Sequence, residues 1–121
     1  QPSPDGARRV AHEATATTLE NWIHAARRVL KPGGALTLIW RAGGLEQVLA
    51  ALARGFGGIG LLPVHGTASG PAIRILVRAT KGGRAPLRIY PGLVLNDSAG
   101  VPTPQANALL SGEAVLPLAT L

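Results

Sequence analysis

The stretch Leu30-Lys31-Pro32-Gly33-Gly34-Ala35-Leu36-Thr37-Leu38-Ile39-Trp40 decides the fold of this chain. Its first half ends a helix, because Pro32 cannot continue one and Gly33 and Gly34 supply a left-handed turn. Its second half, ALTLIW, is apolar without polar alternation, the pattern of a strand covered on both faces. A helix that stops on Lys-Pro-Gly-Gly and passes at once into such a strand belongs to an open α/β sheet with helices packed on it.

The elements on either side agree. Upstream, Leu19, Trp22, Ile23, Ala26 and Leu30 recur along one helical face, with Glu20, Asn21, His24, Arg27 and Arg28 on the other. Thr17 followed three residues later by Glu20 reads as a capping box at the start of that helix. Downstream, residues 44–54 read as a second helix with Leu45, Val48, Leu49 and Leu52 on its buried stripe, and residues 59–64 and 72–79 as two strands. In the last of these, Ile73, Ile75 and Val77 alternate with Arg74, Leu76 and Arg78, so the first set is expected in the core and the second partly in solvent. The order gives the C-terminal half of an open α/β sheet: three strands, two main helices and an antiparallel closing hairpin. Beyond Lys81, residues 87–90 and 93–95 read as short strands split by a Pro91-Gly92 turn, and residues 104–110 as one helix capped by Thr103. The expected organisation is a leader at 1–16, half of a domain at 17–82 and an extension of it at 83–121.

Composition narrows the function classes. The 121 residues are 46% hydrophobic, too apolar for a disordered basic tail, and carry 12 Lys and Arg against 6 Asp and Glu. The absence of Cys removes disulfide frameworks, thiolate metal sites and Cys nucleophiles. Met is absent too, so Gln1 is read as something other than a native start and the chain as a piece of a longer protein. No window offers the roughly 18 apolar residues of a membrane span, and no signal pattern opens the chain. A cytoplasmic protein without a membrane partner is the expectation.

Familiar catalytic patterns fail on context. Gly55-Phe56-Gly57-Gly58-Ile59-Gly60 fits the dinucleotide fingerprint by letter, yet it follows a helix and precedes a strand, the reverse of the required order. No Asp or Glu occurs between Gln47 and Asn96 to hold a ribose, so the glycines read as a helix-ending turn. His12-Glu13 lacks the second His of a zincin helix, the serines sit in no GxSxG context and paired carboxylates are missing. No catalytic, cofactor-binding or metal-ligating residue is nominated. What stands out is a run from Arg54 to Arg88 with six basic side chains and no acid: Arg54, Arg74, Arg78, Lys81, Arg84 and Arg88. Such a run is either a solvated cationic face or a patch that neutralises phosphates, with Arg74 and Arg78 best placed on one strand face.

The junction LKPGGALTLI resembles the passage into the fifth strand of class I S-adenosylmethionine-dependent methyltransferases. Residues 71–82, PAIRILVRATKG, and 93–103 resemble the C-terminal half of the small-domain, Asn-Pro-Pro-Tyr branch, and are most similar to bacterial tRNA adenine-N6 methyltransferases acting on valine tRNA. That resemblance implies a Rossmann-like sheet of seven strands, of which the chain holds the fifth, sixth and seventh, the seventh inserted antiparallel between the other two. It implies S-adenosylmethionine as cofactor of the whole enzyme, with the glycine-rich loop, the ribose-binding acid and the Asn-Pro-Pro-Tyr motif all lying ahead of Gln1, so that the chain alone is expected neither to bind the cofactor nor to be active. It implies tRNA or another RNA as partner, contacted by Arg8, Arg9, Arg74, Arg78, Lys81, Arg84 and Arg88. The alternatives are a non-catalytic basic RNA-binding module, and a methyltransferase half acting on ribosomal RNA guanine or protein glutamine. Strand 35–40 would lack its inner neighbour, leaving an apolar edge to self-associate or to pair with an N-terminal half.

Overall fold

The computed structural model describes residues 16–112, so the leader and with it Arg8 and Arg9 lie outside the described residues. Helix α1 spans Ala16–Val29 and buries Leu19, Ile23 and Ala26, the stripe that the spacing requires. It begins ahead of Thr17, which therefore lies inside the helix and not at its cap, a correction to the capping-box reading. Gly33 takes a positive φ of 85° in the turn that follows. Lys81 ties that turn down: its Nζ donates to the Leu30 carbonyl at 2.7 Å, its amide donates to Gly34 O at 2.8 Å, and its carbonyl accepts from Gly33 N at 2.9 Å.

Strand β1 (Ala35–Arg41) leads through a 3-10 turn, Ala42–Gly44, into α2 (Leu45–Leu52), two residues shorter at its end than the apolar stripe led one to expect. Strands β2 (Phe56–His65) and β3 (Ala72–Lys81) form the expected hairpin, and both are longer than the sequence indicated. The glycines at 57, 58 and 60 therefore lie within β2 and not only in a turn. They occupy a register shift between Gly57 and Gly60, with Gly58 at φ 57°, while Gly55 at φ 95° closes α2. Glycine is required at Gly57 for another reason: a Cβ there would overlap the Gly83 carbonyl of the crossing turn.

The sheet order is β1-β3-β2-β4, with β3 antiparallel to both β1 and β2. Strands β4 (Arg88–Ile89) and β5 (Leu93–Val94) both run parallel to β2 along its outer edge. The Pro91-Gly92 pair therefore interrupts one line of pairing without reversing it; the chain resumes with Leu95 N on His65 O at 2.9 Å. Helix α3 (Pro104–Leu110) starts at Thr103 as expected, whose Oγ1 accepts from Ala106 N at 3.1 Å and donates to Val94 O at 2.6 Å, so one hydroxyl caps the helix and docks it on β5.

Two apolar clusters sit on opposite sheet faces. One joins α1 and α2 to Leu36, Leu38, Trp40, Phe56, Leu61, Ile75, Val77 and Ala79, and the other joins Leu62 and Leu93 to Leu76, Tyr90 and Leu109. At about 1.5–3 kcal/mol for each fully buried large side chain, the first carries most of the stabilisation. Ile73 is half exposed, against the alternation that placed it in the core, because it lies at the hairpin end beside Gly66, where the buried series has narrowed to Ile75, Val77 and Ala79.

Candidate nucleic-acid interface

Strand register sorts the basic residues that the sequence runs together. In β3 the core side is Ile75, Val77 and Ala79, so Arg74, Leu76, Arg78 and Thr80 occupy the face away from α1 and α2. Arg78 is in register with Gly60, and Gly60 in turn with Arg88 of β4. The two arginines therefore share a face across a residue without a side chain, with backbones roughly 10 Å apart at two strand spacings. Arg74 pairs with Val64 on β2 and with Arg41 on β1. Like charges directly opposite repel. The Arg41 guanidinium stacks 5.0 Å from the Trp40 ring centroid and donates to Gln47 Oε1 of α2 at 3.3 Å, whereas Arg74 donates to the Ile73 carbonyl at 3.1 Å.

Lys81 and Arg84 lie elsewhere. Lys81 pairs with Phe56 at the start of β2, seven residues from Arg74, or roughly 23 Å along the strand at ~3.3 Å per residue. Its ammonium is spent on the end of α1. Arg84 follows in the exposed turn that crosses Gly57. The structure thus brings Arg74, Arg78 and Arg88 to one sheet face and leaves Lys81 and Arg84 at the end of the strands.

At that end stand residues that the charge run did not single out. Arg27 in the last turn of α1 donates from Nη1 to the Arg54 carbonyl at 3.1 Å and from Nη2 to His24 Nδ1 at 2.8 Å. With Arg54 they line an open cleft of about 420 Å³ between the two helices, joined by Glu20 and Asn21. The signal was present in sequence as cations at two helix C-termini, but nothing in the sequence placed those termini side by side.

Two parallel strands with an antiparallel one inserted between them, and α1 and α2 packed on one face, define the C-terminal half of a Rossmann-like methyltransferase sheet. The crystal structure of a predicted O-methyltransferase, protein Atu636 from Agrobacterium tumefaciens, matches it with a TM-score of 0.81 and 29% sequence identity, over 91% of this chain and 53% of that protein. The chain spans about half the length of this structural neighbour. No family model matches the chain, and no curated protein matches its sequence.

Open α/β sheets hold ligands at the carboxyl ends of their parallel strands. Here those ends are Arg41, engaged with Trp40 and Gln47, and His65, whose Nδ1 donates to Gly70 O at 2.9 Å. The acids near them are the exposed Glu46 in the first turn of α2 and Asp97, which follows Asn96 beside Gly66 and whose Oδ1 is taken up by the Ala99 and Val101 amides, and the cleft between the helices opens at the opposite end of the strands. The described residues therefore do not fit a nucleoside-bearing methyl donor. Among them there is also no group of three or more potential metal ligands and no helix long and apolar enough to cross a membrane.

Proposed function

We propose that the chain is part of an S-adenosylmethionine-dependent methyltransferase that modifies the exocyclic N6 of adenine in tRNA, and that it contributes scaffold and a cationic RNA-facing surface. The observation that supports the methyltransferase part of this reading is the 0.81 TM-score match at 29% identity, and the antiparallel β3 between β1 and β2 agrees with it. The shared face of Arg74, Arg78 and Arg88 supports a polyphosphate partner, because guanidinium groups bind phosphate in a fixed fork. Arg8 and Arg9 belong to the same proposal. The donor would supply an electrophilic methyl group for the adenine nitrogen, while this chain's own part would be the sheet and the Arg74, Arg78 and Arg88 face that position the RNA. Alignment of the flipped base with the methyl group is the main catalytic demand. A second reading, transfer to an oxygen acceptor, draws on the description of the structural neighbour.

The test uses the full-length protein carrying this chain, with methyl-labelled donor and unmodified tRNA. Label recovered as N6-methyladenosine is the expected result. Label on a ribose or small-molecule hydroxyl, with none on adenine, would establish the second reading instead.

Among the described residues β1 pairs only with β3, leaving its other edge free. That edge is the proposed seat of a strand from the N-terminal half, and two isolated 121-residue chains would pair there when none is present. Light scattering of the isolated chain is expected to report dimers or larger species; a stable monomer at micromolar concentration refutes this.

A further inference from the structure

The amino ends of β1 and β2 gather six cations from three separate stretches of chain: Arg27 and Arg28 in the last turn of α1 with Lys31 in the turn after it, Arg54 after α2, and Lys81 at the end of β3 with Arg84 beyond it. Structural duty accounts for part of this charge. Each helix C-terminus carries about half a negative charge, which Arg27, Arg28 and Arg54 offset. Lys81 is held on the Leu30 carbonyl and Arg27 on that of Arg54. Allowing for both helix ends and for Glu20, an excess of roughly four positive charges remains at this end. Arg28, Lys31, Arg54 and Arg84 are all exposed. The surface is also concave, since the cleft between α1 and α2 opens onto it.

We propose that this end of the sheet is a second polyphosphate-docking surface, which holds the backbone of the RNA substrate away from the face carrying Arg74. The proposal rests on the RNA reading given under Proposed function. The span argues for a polymer: the outermost cations of β3, Arg74 and Lys81, stand roughly 23 Å apart with Arg78 between them about 10 Å from Lys81, a reach that a single phosphate or nucleotide cannot cover and a folded RNA can. The held guanidinium of Arg27 gives the cleft a fixed donor, and the exposed cations supply adjustable ones.

The test measures binding of total tRNA to the full-length protein across a salt series. The substitutions are Lys31→Gln, Arg54→Gln and Arg84→Gln together, which spare the pinned Arg27 and Lys81 and leave the melting transition in place. Loss of three phosphate contacts is expected to weaken binding about 10–100-fold at low salt and to flatten the slope of log K against log salt by about 2–3. Arg54→Lys with Arg84→Lys is expected to bind as the parent does, because these contacts require charge and not a base-reading geometry. If the parent protein binds tRNA and the triple variant binds with the same affinity and slope, the second surface is refuted while the RNA reading stands. If the parent shows no salt-dependent tRNA binding, both fall.

Discussion

Gly57→Ala is expected to lower the melting temperature by roughly 10–20 °C, the consequence of a loss near 3 kcal/mol in a domain of about 100 residues. The added methyl would overlap the Gly83 carbonyl oxygen and carbon, which belong to backbone and cannot rotate aside as a side chain can. The turn that crosses β2 would have to lift, and with it the bond from Gly82 N to Gly55 O at 2.9 Å. Gly58→Ala is the informative control. That position has a positive φ of 57° but no clash, with its nearest neighbours at ordinary contact distances of 3.7 Å or more, so it should lose only about 1–2 kcal/mol to backbone conformation. Thermal unfolding followed by circular dichroism separates the two. A Gly57→Ala variant that melts with the parent would mean the turn does not press on β2.

Trp40→Ala is expected to cost about 3–5 kcal/mol, enough to abolish cooperative unfolding in a domain whose total stability is of that order or little more. Trp40 is the largest fully buried side chain described and centres the cluster beneath α1 and α2. Its indole Nε1 is buried without a hydrogen-bond partner among the described residues, close to Gly44. Leaving a donor unpaired is itself unfavourable by about 1–3 kcal/mol, so Trp40→Phe, which removes the donor and part of the volume, should come out within about 1.5 kcal/mol of the parent. Urea denaturation of both variants tests this; a Trp40→Phe loss well above about 1.5 kcal/mol would show that the indole N–H is satisfied.

Much of the fold was legible because its signals are local. The period of Leu19, Ile23, Ala26 and Leu30 names a helix face, and Lys31-Pro32-Gly33-Gly34 names its end. The alternation in β3 has the right period but outruns the buried series by one position, since Ile73 continues the pattern where the strand is half exposed. The start of β2 is not legible in the sequence, for a physical reason. Glycines argue for turns when read alone, and only the approach of the Gly83 carbonyl explains a glycine inside the strand at Gly57.

The candidate interface was less legible. A run of cations along the chain is one feature in sequence, but β3 is an extended strand, so residues seven apart stand at different ends of the molecule. The fold then completes each group from elsewhere, setting Arg88 beside Arg78 through Gly60, and Arg27 and Arg54 near Lys81 and Arg84 through two helix termini.

By itself the sequence determined the element order, the buried stripe of α1 and the net positive charge, because helix period, chain breakers and side-chain charge are properties of neighbouring residues. The place of β3 between β1 and β2 was expected from the resemblance alone and the pairing bears it out; only the tertiary structure decided that Pro91-Gly92 does not reverse the chain, and that the cations form two surfaces and not one. Those outcomes depend on pairings between residues far apart in the chain, which backbone hydrogen bonding and burial select and no short stretch of sequence encodes.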